Sequence, residues 1–359
     1  MINPQDKRAL PISIIIPCRN EGAHIRALLD SILSQEMDGS DWEAIVADGM
    51  SDDGTRELLD RYRARHPRIR MINNPARYVS TGLNAAIEVA KGEIILRMDA
   101  HTSYEPDYVR RCVETLQSTG AGNVGGPARA SATGFWGRAI ASAYRSAFAC
   151  GGARFHDPAY EGYADTVPYG CWRRDTLIRL GGFDEAMIRN QDDELNLRLT
   201  RSGEKIWQSP SIVSWYMPRS RLSALFGQYF QYGFWKVAVI RKHRIPASWR
   251  HLVPATWVLT NIAMLLGVIV CAQAGWASAW LALMLAWTAL LSVYAAACFF
   301  AAVQAARRDG WMLLPVLPLV FSIFHYAYGV GFLFGMAQFL PAGRKGAVTP
   351  GRLFTQLTR

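Results

Sequence analysis

The 359-residue sequence predicts a soluble α/β domain, with a doubly wound and mostly parallel sheet, followed by a C-terminal module of membrane helices. Two observations lead to this prediction. Short apolar runs alternate with segments of helical spacing near the N-terminus, which is the pattern of a parallel sheet. In addition, no Asp, Glu, Lys or Arg occurs from His251 to Ala306 or from Gly310 to Gly343. Uncharged stretches of this length are typical of helices that cross a bilayer.

The strands and helices of the α/β domain follow from the spacing of apolar residues. The run ISIII at Ile12–Ile16 is continuous and β-branched, as in a strand buried on both faces. Ligands of such sheets bind beyond the carboxyl ends of the strands, so the residues after each strand form the candidate site. The predicted strands cover Ile12–Ile16, Glu43–Ala47, Ile69–Ile72 and Glu93–Met98, and the predicted helices cover His24–Gln35, Thr55–Arg65, Ser80–Lys91 and Pro106–Leu116.

Charge divides the chain into a soluble part and a membrane part. Seven Lys or Arg residues and no acidic residue lie between Arg219 and Leu252, directly before the first uncharged stretch. Such placement is typical of the cytoplasmic leaflet, so the net charge of +10 indicates a membrane rather than nucleic acid, for which no motif is present. We expect a cytoplasmic domain at 1–218, a basic amphipathic interfacial segment at 219–250, transmembrane helices within 251–343 (near 253–273, 279–303 and 311–338) and a basic tail at 344–359.

The number of spans stays open at this stage. Three spans place Arg307 and Arg308 on the cytoplasmic side, as the positive-inside rule requires, but they place the basic tail outside. Pro315 and Pro318 would allow the last uncharged stretch to be a re-entrant or interfacial piece, which returns the tail to the cytoplasm. His325 lies well inside this stretch, and we expect it to be a hydrogen-bonded packing residue rather than a functional one.

Two further features concern the cellular compartment. The N-terminal residues MINPQDKRALP contain no apolar signal core, which supports a cytoplasmic location for the soluble domain. The six cysteines show neither a CxxC pair nor a zinc-site spacing, and we expect them to be reduced thiols.

Acidic residues follow two of the predicted strands. Asp48 comes directly after the second strand, where its carboxylate could accept a hydrogen bond from a ribose or a base. Asp99 and His101 follow the fourth strand, and this pair suits Mg²⁺ or Mn²⁺, which would separate the carboxylate from substrate phosphates. The first strand is not followed by GxGxxG, which disfavours the usual dinucleotide site. The alternative is that these residues only form turns and cap helices.

A third group of acids consists of Asp192, Asp193 and Glu194, at the start of a segment with helical spacing. Acidic residues stabilise the positive end of a helix, which is the simpler interpretation. Three in a row exceed what capping needs, however. A carboxylate here would suit a general base that deprotonates an acceptor hydroxyl.

The order of these motifs resembles glycosyltransferase family 2, whose members have the GT-A fold. The resemblance covers roughly residues 11–240, and it includes bacterial exopolysaccharide glycosyltransferases of the succinoglycan type, which share the patterns at Arg97–His101 and Asn190–Leu195. Each motif alone is weak, whereas five in order make a strong signal. The motifs are PxxNE at Pro17–Glu21, DGxSxDGT at Asp48–Thr55, a DxD-like Asp99–His101, GGFDE at Gly181–Glu185, and the acidic helix start.

The resemblance implies a role for particular residues. It assigns Asp192 as the catalytic base, with Asp193 as the less favoured choice, and Asp99 and His101 as the metal and diphosphate site. Gln191 replaces the Glu of the family's Glu-Asp pair, and His101 replaces its usual second Asp. The implied nucleotide-sugar-binding residues are Pro17, Arg19, Glu21, Asp48, Asp99, Gly125, Gly126, Tyr169, Gly170 and Trp172.

The stretch Gln231–Trp235 differs from the QxxRW motif of processive family members. Phe234 stands where these have Arg, so the resemblance implies transfer of a single sugar. The alternative interpretation of this stretch is an interfacial helix whose aromatic residues lie at the membrane surface.

The function that the resemblance implies is an inverting, metal-dependent glycosyltransferase of a bacterial inner membrane. Its donor would be a nucleotide-sugar, with UDP-hexose favoured, and its acceptor a polyprenyl-diphosphate-linked sugar at the cytoplasmic face, in exopolysaccharide or related glycan assembly. The alternatives are a polyprenyl-phosphate glycosyltransferase and a non-catalytic membrane protein that binds nucleotide-sugar. The oligomeric state and the choice between Mn²⁺ and Mg²⁺ stay open.

Overall fold

In a computed structural model of the chain, residues 10–37, 39–246 and 248–340 are described. They form two compact units. The first contains the chain up to Arg129 together with Arg154–Met217, and the second contains Ala130–Ala153 together with the chain from Pro218 onward. The second unit thus includes Ala130–Ala153, which the predicted division at residue 218 assigns to the soluble domain. The basic tail expected at 344–359 lies outside the described residues.

The first unit is built on an eight-stranded sheet in the order β3-β2-β1-β4-β9-β6-β10-β8, beside a three-stranded sheet in the order β5-β11-β7. The strands are β1 Ile12–Cys18, β2 Trp42–Asp48, β3 Ile69–Asn73, β4 Ile94–Arg97, β5 Thr102–Tyr104, β6 Asn123–Gly125, β7 Arg129–Ala130, β8 Gly162–Tyr163, β9 Cys171–Arg173, β10 Ile206–Gln208 and β11 Ser214–Tyr216. The helices of this unit are α1 Ile25–Leu33, α2 Thr55–Arg65, α3 Val79–Val89, α4 Tyr108–Thr119, α7 Arg174–Leu180 and α8 Gln191–Arg201.

The predicted fold class is confirmed, because β3, β2, β1 and β4 pair in parallel and a helix follows each of the first three strands. The sheet is mixed beyond β4, since β9 enters antiparallel between β4 and β6. In this register Leu96 lies opposite Cys171. The start of β9 therefore meets the end of β4, and the residues just before β9 are brought to the edge of the sheet where the candidate site lies.

The core explains why the first strand is apolar throughout. Ile14 and Ile16 lie in one buried cluster with Leu28 of α1, whereas Ile15 lies in a second cluster with Leu83 of α3. Successive side chains of a strand point to opposite faces. Both faces of β1 are therefore covered by helices, as the continuous β-branched run predicted.

The second unit is helical. Three of its helices have the length and composition to cross a membrane, which fits the predicted transmembrane module. The bounds predicted for the first span coincide with a helix, and those of the second lie within a longer helix. The third helix begins only at Leu317, because Pro318 is accommodated in its first turn. The helices are α5 Phe135–Tyr144, α6 Ala147–Cys150, α9 Leu222–His243, α10 Val253–Gln273, α11 Ala277–Asp309 and α12 Leu317–Phe339.

The helix α9 occupies the segment for which an amphipathic interfacial helix was expected. Residues 233–239 are buried around the whole circumference of the helix, not on one face only. One reason for this burial is close packing against α12, where glycines allow the two helix backbones to approach each other. Such a helix does not present a single apolar stripe.

Two polar contacts tie the segment 130–153 to the membrane helices. The carboxylate of Asp309, at the end of α11, accepts hydrogen bonds from Arg145 (2.7 Å) and from the Ser142 hydroxyl (2.6 Å). His325 on α12 lies 2.8 Å from the Phe148 carbonyl through Nε2 and 2.9 Å from the Tyr294 hydroxyl through Nδ1. A carbonyl only accepts, so Nε2 carries the proton and Nδ1 accepts. His325 is thus a hydrogen-bonded packing residue, as the sequence predicted.

Candidate active site

The loops after β1 and β2 form one hydrogen-bonded structure. The side chains of Asn20 and Asp52 meet, with Asn20 Nδ2 donating to Asp52 Oδ1 (2.9 Å) and the Asp52 N–H donating to Asn20 Oδ1 (3.0 Å). The backbone of Asn20 donates to Ser51, and that of Glu21 donates to Thr55. The PxxNE and DGxSxDGT motifs therefore fit together, which gives a structural reason for their polar residues.

Pro17 and Arg19 lie at the end of β1, on the side of the sheet where the loops after β1 and β2 meet. Pro17 is paired with Ala47 of β2, and the Arg19 side chain covers Gly49, where an added Cβ would lie 3.1 Å from the Arg19 Cβ. The backbone N–H of Gly49 donates to the Cys18 carbonyl (2.7 Å). Both predicted residues thus lie beside the start of the β2 loop.

Asp48 is fully buried at the end of β2. Its carboxylate accepts from the Ser51 hydroxyl (2.5 Å) and forms an ion pair with the Arg56 guanidinium. Arg56 also donates to Asn73 at the end of β3 (2.9 Å). The buried carboxylate is therefore neutralised by an arginine that the sequence analysis did not single out.

Arg97 connects the predicted metal ligand with the predicted base. It is 5% exposed at the end of β4, and it donates through Nε and Nη2 to the two oxygens of Asp99 (3.0 and 3.1 Å). Its third nitrogen, Nη1, donates to Asp192 Oδ1 at 2.5 Å. Tyr104 completes the cluster by accepting the Asp99 N–H at 2.7 Å. Residues far apart in sequence thus form one charged cluster at the sheet edge.

The electrostatics of this cluster favour a basic carboxylate at Asp192. Burial raises the pKa of Asp192, the charge of Arg97 opposes this, and the neighbouring Asp99 and Asp193 add to the rise, so the net direction is upward. The side chain is still 37% exposed, so an incoming hydroxyl can reach it. For Arg97, burial alone would lower the pKa, but Asp192 and Asp99 outweigh it, and the guanidinium stays charged.

His101 belongs to the loop after β4 and lies near Glu21 in the loop after β1. Its Nδ1 is 3.9 Å from Oε1 of Glu21, which is too long for a direct hydrogen bond. The imidazole also meets the ring of Tyr216 edge-on, at 6.0 Å between centroids. Glu21 is 2% exposed, whereas the His101 side chain is 30% exposed. His101 is therefore the more accessible of the two groups.

The donor atoms fit a divalent cation that is shared with a substrate. Among residues 10–37, 39–246 and 248–340, no three His, Cys, Asp or Glu residues are grouped to hold a metal by themselves. Mg²⁺ sites commonly use one or two protein ligands, with water and substrate phosphates completing the shell. A carboxylate has about four lone-pair positions, so Asp99 can still offer one while it accepts from Arg97. Asp99 and His101 are the residues that would hold such an ion.

The acidic residues at the start of α8 have different contacts and different roles. Asp192 contacts Arg97, while Glu194 is fully buried and pairs with Arg198 at 2.7 Å. Arg198 also donates to the Gly182 carbonyl (2.7 Å), and so it holds the GGFDE turn. Glu194 is thus structural, and Gln191, at 8% exposure, is buried as the first residue of the helix.

Three predicted donor-site residues have clear packing roles. A Cβ added to Gly126 would lie 1.9 Å from the Ile212 carbonyl oxygen, and one added to Gly125 would lie 2.9 Å from Val167. Close approach of neighbouring chain is therefore a sufficient reason for both glycines. Trp172 is 2% exposed and packs edge-on against Phe183 in the core, because alternate residues of β9 face opposite sides of the sheet. The structure gives Trp172 a core position instead of the pocket position that was expected.

Tyr169 and Gly170 do reach the cluster. The Gly170 carbonyl accepts the backbone N–H of Arg97 (3.1 Å), and the Tyr169 hydroxyl lies 2.6 Å from the Thr102 hydroxyl. Both residues have positive φ, at 60° and 97°. This turn places Tyr169 beside the loop that carries Asp99 and His101.

Arg97 and Arg56 are the functional candidates that sequence reasoning missed. Arg97 ends the otherwise apolar run Ile94–Leu96, and a charge at the end of a buried strand needs a partner. That signal was present in the sequence, but it does not name the partner. Asp192 is distant along the chain, and only the fold brings it to Arg97.

Comparisons with known proteins show the family to which this chain is similar. Residues 13–175 match the model of a family described as Glycosyl transferase family 2. The chain is 31% identical to the succinoglycan biosynthesis protein ExoA of Rhizobium meliloti over 321 residues, which covers 89% of this chain and 93% of that protein. It is 27% identical over 337 residues to a dolichyl N-acetyl-α-D-glucosaminyl phosphate 3-β-D-2,3-diacetamido-2,3-dideoxy-β-D-glucuronosyltransferase of Methanococcus voltae, covering 91% and 97% of the two chains.

One solved structure has the same fold over most of its length. It is the mannosyltransferase PcManGT from Pyrobaculum calidifontis in complex with GDP-Man and Mn²⁺. The TM-score is 0.57 at 20% identity, and the match covers 90% of this chain and 87% of that one.

Proposed function

We propose that this chain, which belongs to glycosyl transferase family 2, transfers a single sugar from a nucleotide-sugar to a lipid-linked sugar acceptor with inversion of configuration. The observation that carries this proposal is the Arg97-centred cluster, in which one guanidinium holds both the carboxylate of Asp99, the proposed metal ligand, and the partly exposed carboxylate of Asp192. Inverting transfer needs these two functions close together, since one group withdraws a proton and the other supports the leaving diphosphate.

The chemical step assigns one role to each residue of the cluster. Asp192 accepts the proton of the acceptor hydroxyl, whose oxygen forms a bond to the anomeric carbon. The bond from that carbon to the diphosphate oxygen breaks, and the nucleoside diphosphate leaves from the opposite face. A divalent cation held by Asp99 and His101 would neutralise the charge of that diphosphate. Arg97 keeps Asp192 oriented, and Asp193 is the less favoured base.

The relatives support a nucleotide-sugar donor and a lipid-linked acceptor. The name of the Methanococcus voltae relative describes transfer to a sugar on dolichyl phosphate, and the Rhizobium meliloti relative acts in succinoglycan biosynthesis. The solved neighbour was obtained with a GDP-sugar and Mn²⁺. We favour a UDP-hexose as donor and a polyprenyl-diphosphate sugar as acceptor, in exopolysaccharide or related glycan assembly, with Mn²⁺ or Mg²⁺.

The three apolar helices support a location at a membrane. Residues 1–218 would supply the catalytic domain on the cytoplasmic side of a bacterial inner membrane, and the C-terminal helices would anchor it. The acceptor would then reach the site from the same membrane. Glu21 and Asp48 would lie on the nucleotide side of the site, with Pro17 and Arg19 beside them, and Tyr169 and Gly170 would border the sugar.

Single-sugar transfer is supported by the environment of Phe234. Its side chain is 1% exposed on α9, and its ring packs against Phe339 of α12 at 5.0 Å between centroids. Processive relatives are expected to have an arginine at this position. An apolar ring that is packed between helices cannot hold a diphosphate.

The test is release of nucleotide by the purified protein in detergent, with Mn²⁺, a bacterial lipid extract and a panel of UDP- and GDP-sugars. Asp192→Asn is compared with Asp193→Asn, because both changes remove one charge at nearly constant shape. We expect release from one donor that depends on lipid, and a loss of about 10²–10⁴-fold only for Asp192→Asn.

Other results would change the assignment. A mild effect of Asp192→Asn with lipid-dependent release would indicate a phosphate acceptor, which needs little help from a base. A severe loss only in Asp193→Asn would make Asp193 the base. Binding of UDP or GDP without release, in the presence of a lipid extract that supports a related enzyme, would favour the non-catalytic alternative.

A further inference from the structure

The helices α9 and α12 lie side by side and point in the same direction. A Cβ added to Gly233 on α9 would lie 2.0 Å from the Tyr328 carbonyl oxygen on α12, and one added to Gly335 would lie 2.6 Å from the Phe234 carbonyl oxygen. Residue numbers rise together along both helices, so the pair is parallel. The same order appears in the aromatic pairs Tyr229 with Phe324, Phe230 with Phe334, and Phe234 with Phe339.

The helices α10 and α11 form an antiparallel hairpin instead. Trp257 stacks on Tyr294 with ring centroids 4.4 Å apart, and Trp287 Nε1 donates to Asn261 Oδ1 at 3.0 Å. Residue numbers therefore run in opposite directions along the two helices, which are joined by the short turn 274–276. The start of α10 and the later part of α11 lie at the same end of this hairpin.

The two helices of the hairpin are much less buried within the protein than α12. In the most apolar 18-residue window of each helix, 17% of α10 and 6% of α11 are buried within the protein, against 44% of α12. An apolar helix that leaves nearly all of its surface uncovered needs lipid around it. At 1.5 Å per residue, the 21 residues of α10 span about 32 Å, which matches a hydrocarbon core of about 30 Å.

The connections between these helices limit which of them can cross. If the hairpin crosses the bilayer, the start of α10 and the end of α11 are on one side. The end of α9 is joined to the start of α10, and the start of α12 is joined to the end of α11 by residues 310–316. Since α9 and α12 are parallel and side by side, their starts lie together and their ends lie together. Both ends of the pair are then on that same side, so neither helix crosses.

The charged residues between α9 and α10 agree with this conclusion. Arg241, Lys242, Arg244 and Arg250 lie at or beyond the end of α9. If α12 crossed the bilayer, the adjacent end of α9 would lie at the far surface, and residues 244–252 would have to return through the hydrocarbon with Arg244 and Arg250. A Lys or Arg inside the hydrocarbon is strongly disfavoured unless it is paired or reaches water. At the surface the same residues attract anionic lipid headgroups.

We propose that α10 and α11 are the two membrane spans and that α9 and α12 form a parallel pair lying in one membrane surface. The partner of this pair is the headgroup layer of the bilayer, with the basic end of α9 against anionic lipid. This topology also keeps Arg307 and Arg308 on the same side as the basic residues between α9 and α10, as the positive-inside rule requires. The inference holds whether or not the chain transfers sugar.

The test is labelling of single introduced cysteines with a membrane-impermeant maleimide, in right-side-out and in inverted vesicles of the full chain. The native chain serves as the blank, because five of its six cysteines are buried and Cys150 is partly buried. The variants replace exposed residues: Ser223→Cys at the start of α9, Lys242→Cys at its end, Ala274→Cys in the hairpin turn and Leu340→Cys after α12. Each must elute like the native chain and label fully after solubilisation.

We expect Ala274→Cys to be labelled in one vesicle orientation only, and the other three variants only in the opposite orientation. Labelling of Leu340→Cys in the same orientation as Ala274→Cys would establish three spans and overturn the proposal. Protection of Leu340→Cys or Lys242→Cys in both orientations, until detergent is added, would place that helix end inside the bilayer and overturn it as well. None of these results depends on activity, so they stand apart from a failure of the proposed function.

Discussion

Arg97 Nη1 lies 2.5 Å from Asp192 Oδ1, while the other two nitrogens of the same guanidinium hold Asp99. This contact joins the end of β4 to the start of α8 across 95 residues of sequence. A buried arginine with two carboxylates fixes the orientation of both, because its donors have a rigid planar geometry. It also means that the proposed base and the proposed metal ligand respond to the same positive charge.

The first prediction concerns the pH dependence of activity. The pKa of Asp192 is raised, chiefly by burial, so the acid limb of kcat/KM should lie above the range of an ordinary aspartate. Loss of activity should occur as the pH falls through this raised pKa, because the base must be deprotonated. In Arg97→Met the opposing positive charge is gone, and the acid limb should move to still higher pH.

The matched control for this measurement is Arg56→Met, which removes an arginine that pairs with Asp48 rather than with Asp192. Its acid limb should stay where the native enzyme has it, whatever happens to the affinity for the donor. An acid limb that does not move in Arg97→Met would show that Arg97 does not act on the base.

The second prediction concerns the metal. His101, the second proposed metal ligand, offers an imidazole nitrogen where the family usually has a carboxylate. His101→Asp should strengthen Mg²⁺-dependent nucleotide binding relative to Mn²⁺-dependent binding, since a negatively charged oxygen ligand suits the harder ion. Calorimetric titration of UDP or GDP binding in each metal measures this ratio without turnover. The conservative control His101→Asn keeps a neutral side chain, and an equal ratio in both variants would count against a metal-binding role.

The third prediction concerns the packing of α9 against α12. A Cβ added to Gly331 would lie 2.0 Å from the Phe230 carbonyl oxygen, and a backbone atom cannot move aside as a side chain can. Gly331→Ala should therefore destabilise the protein by about 1–3 kcal/mol, as overpacking does. Thermal unfolding in detergent measures the change.

Gly267→Ala in α10 is the control for helix propensity. There the added Cβ meets only a Leu283 side-chain atom, at 3.2 Å. Alanine is favoured over glycine in a helix, so this variant should be neutral or slightly stabilised. Equal Tm values for the two variants would show that α9 and α12 do not pack as closely as described.

The fourth prediction concerns the stability of the parallel sheet. Glu43 accepts from the Lys91 N–H (2.7 Å), the Ser13 hydroxyl (2.8 Å) and Arg70 (2.6 Å). Burial alone would raise the pKa of Glu43, but these hydrogen bonds outweigh it and lower the pKa below the ordinary value of a glutamate. The stabilisation is thus present above the unfolded pKa and is lost as the pH falls through the lowered folded pKa.

Glu43→Gln should lower stability at neutral pH by about 1–3 kcal/mol, the usual cost of breaking hydrogen bonds to a charged group. The difference from the native chain should shrink in acid, where the native carboxyl is protonated too. Glu88→Gln, on an exposed position of the neighbouring helix α3, is the control and should be near neutral. A Tm difference that is constant across this pH range would contradict the assignment.

The alternation of apolar runs and helical spacing determined the parallel half of the sheet. Ile12–Ile16 reads as a strand buried on both faces, and the structure covers both faces with helices, because backbone pleating forces successive side chains to opposite sides. The motifs likewise determined that Asp48, Asp99 and Asp192 stand at strand or helix ends. Local spacing is enough for such predictions, since each depends on neighbours within a few residues.

Only the tertiary structure decided which of these residues meet. The pairing of Arg97 with Asp192 and of Asp48 with Arg56, and the core position of Trp172, depend on how β9 and α8 join the sheet. Hydropathy likewise does not predict the parallel contact of α9 with α12, because apolar helices of similar composition give no sign of which helices they pack against. Contacts between distant segments arise from shape and charge complementarity in the folded chain, which local sequence patterns do not record.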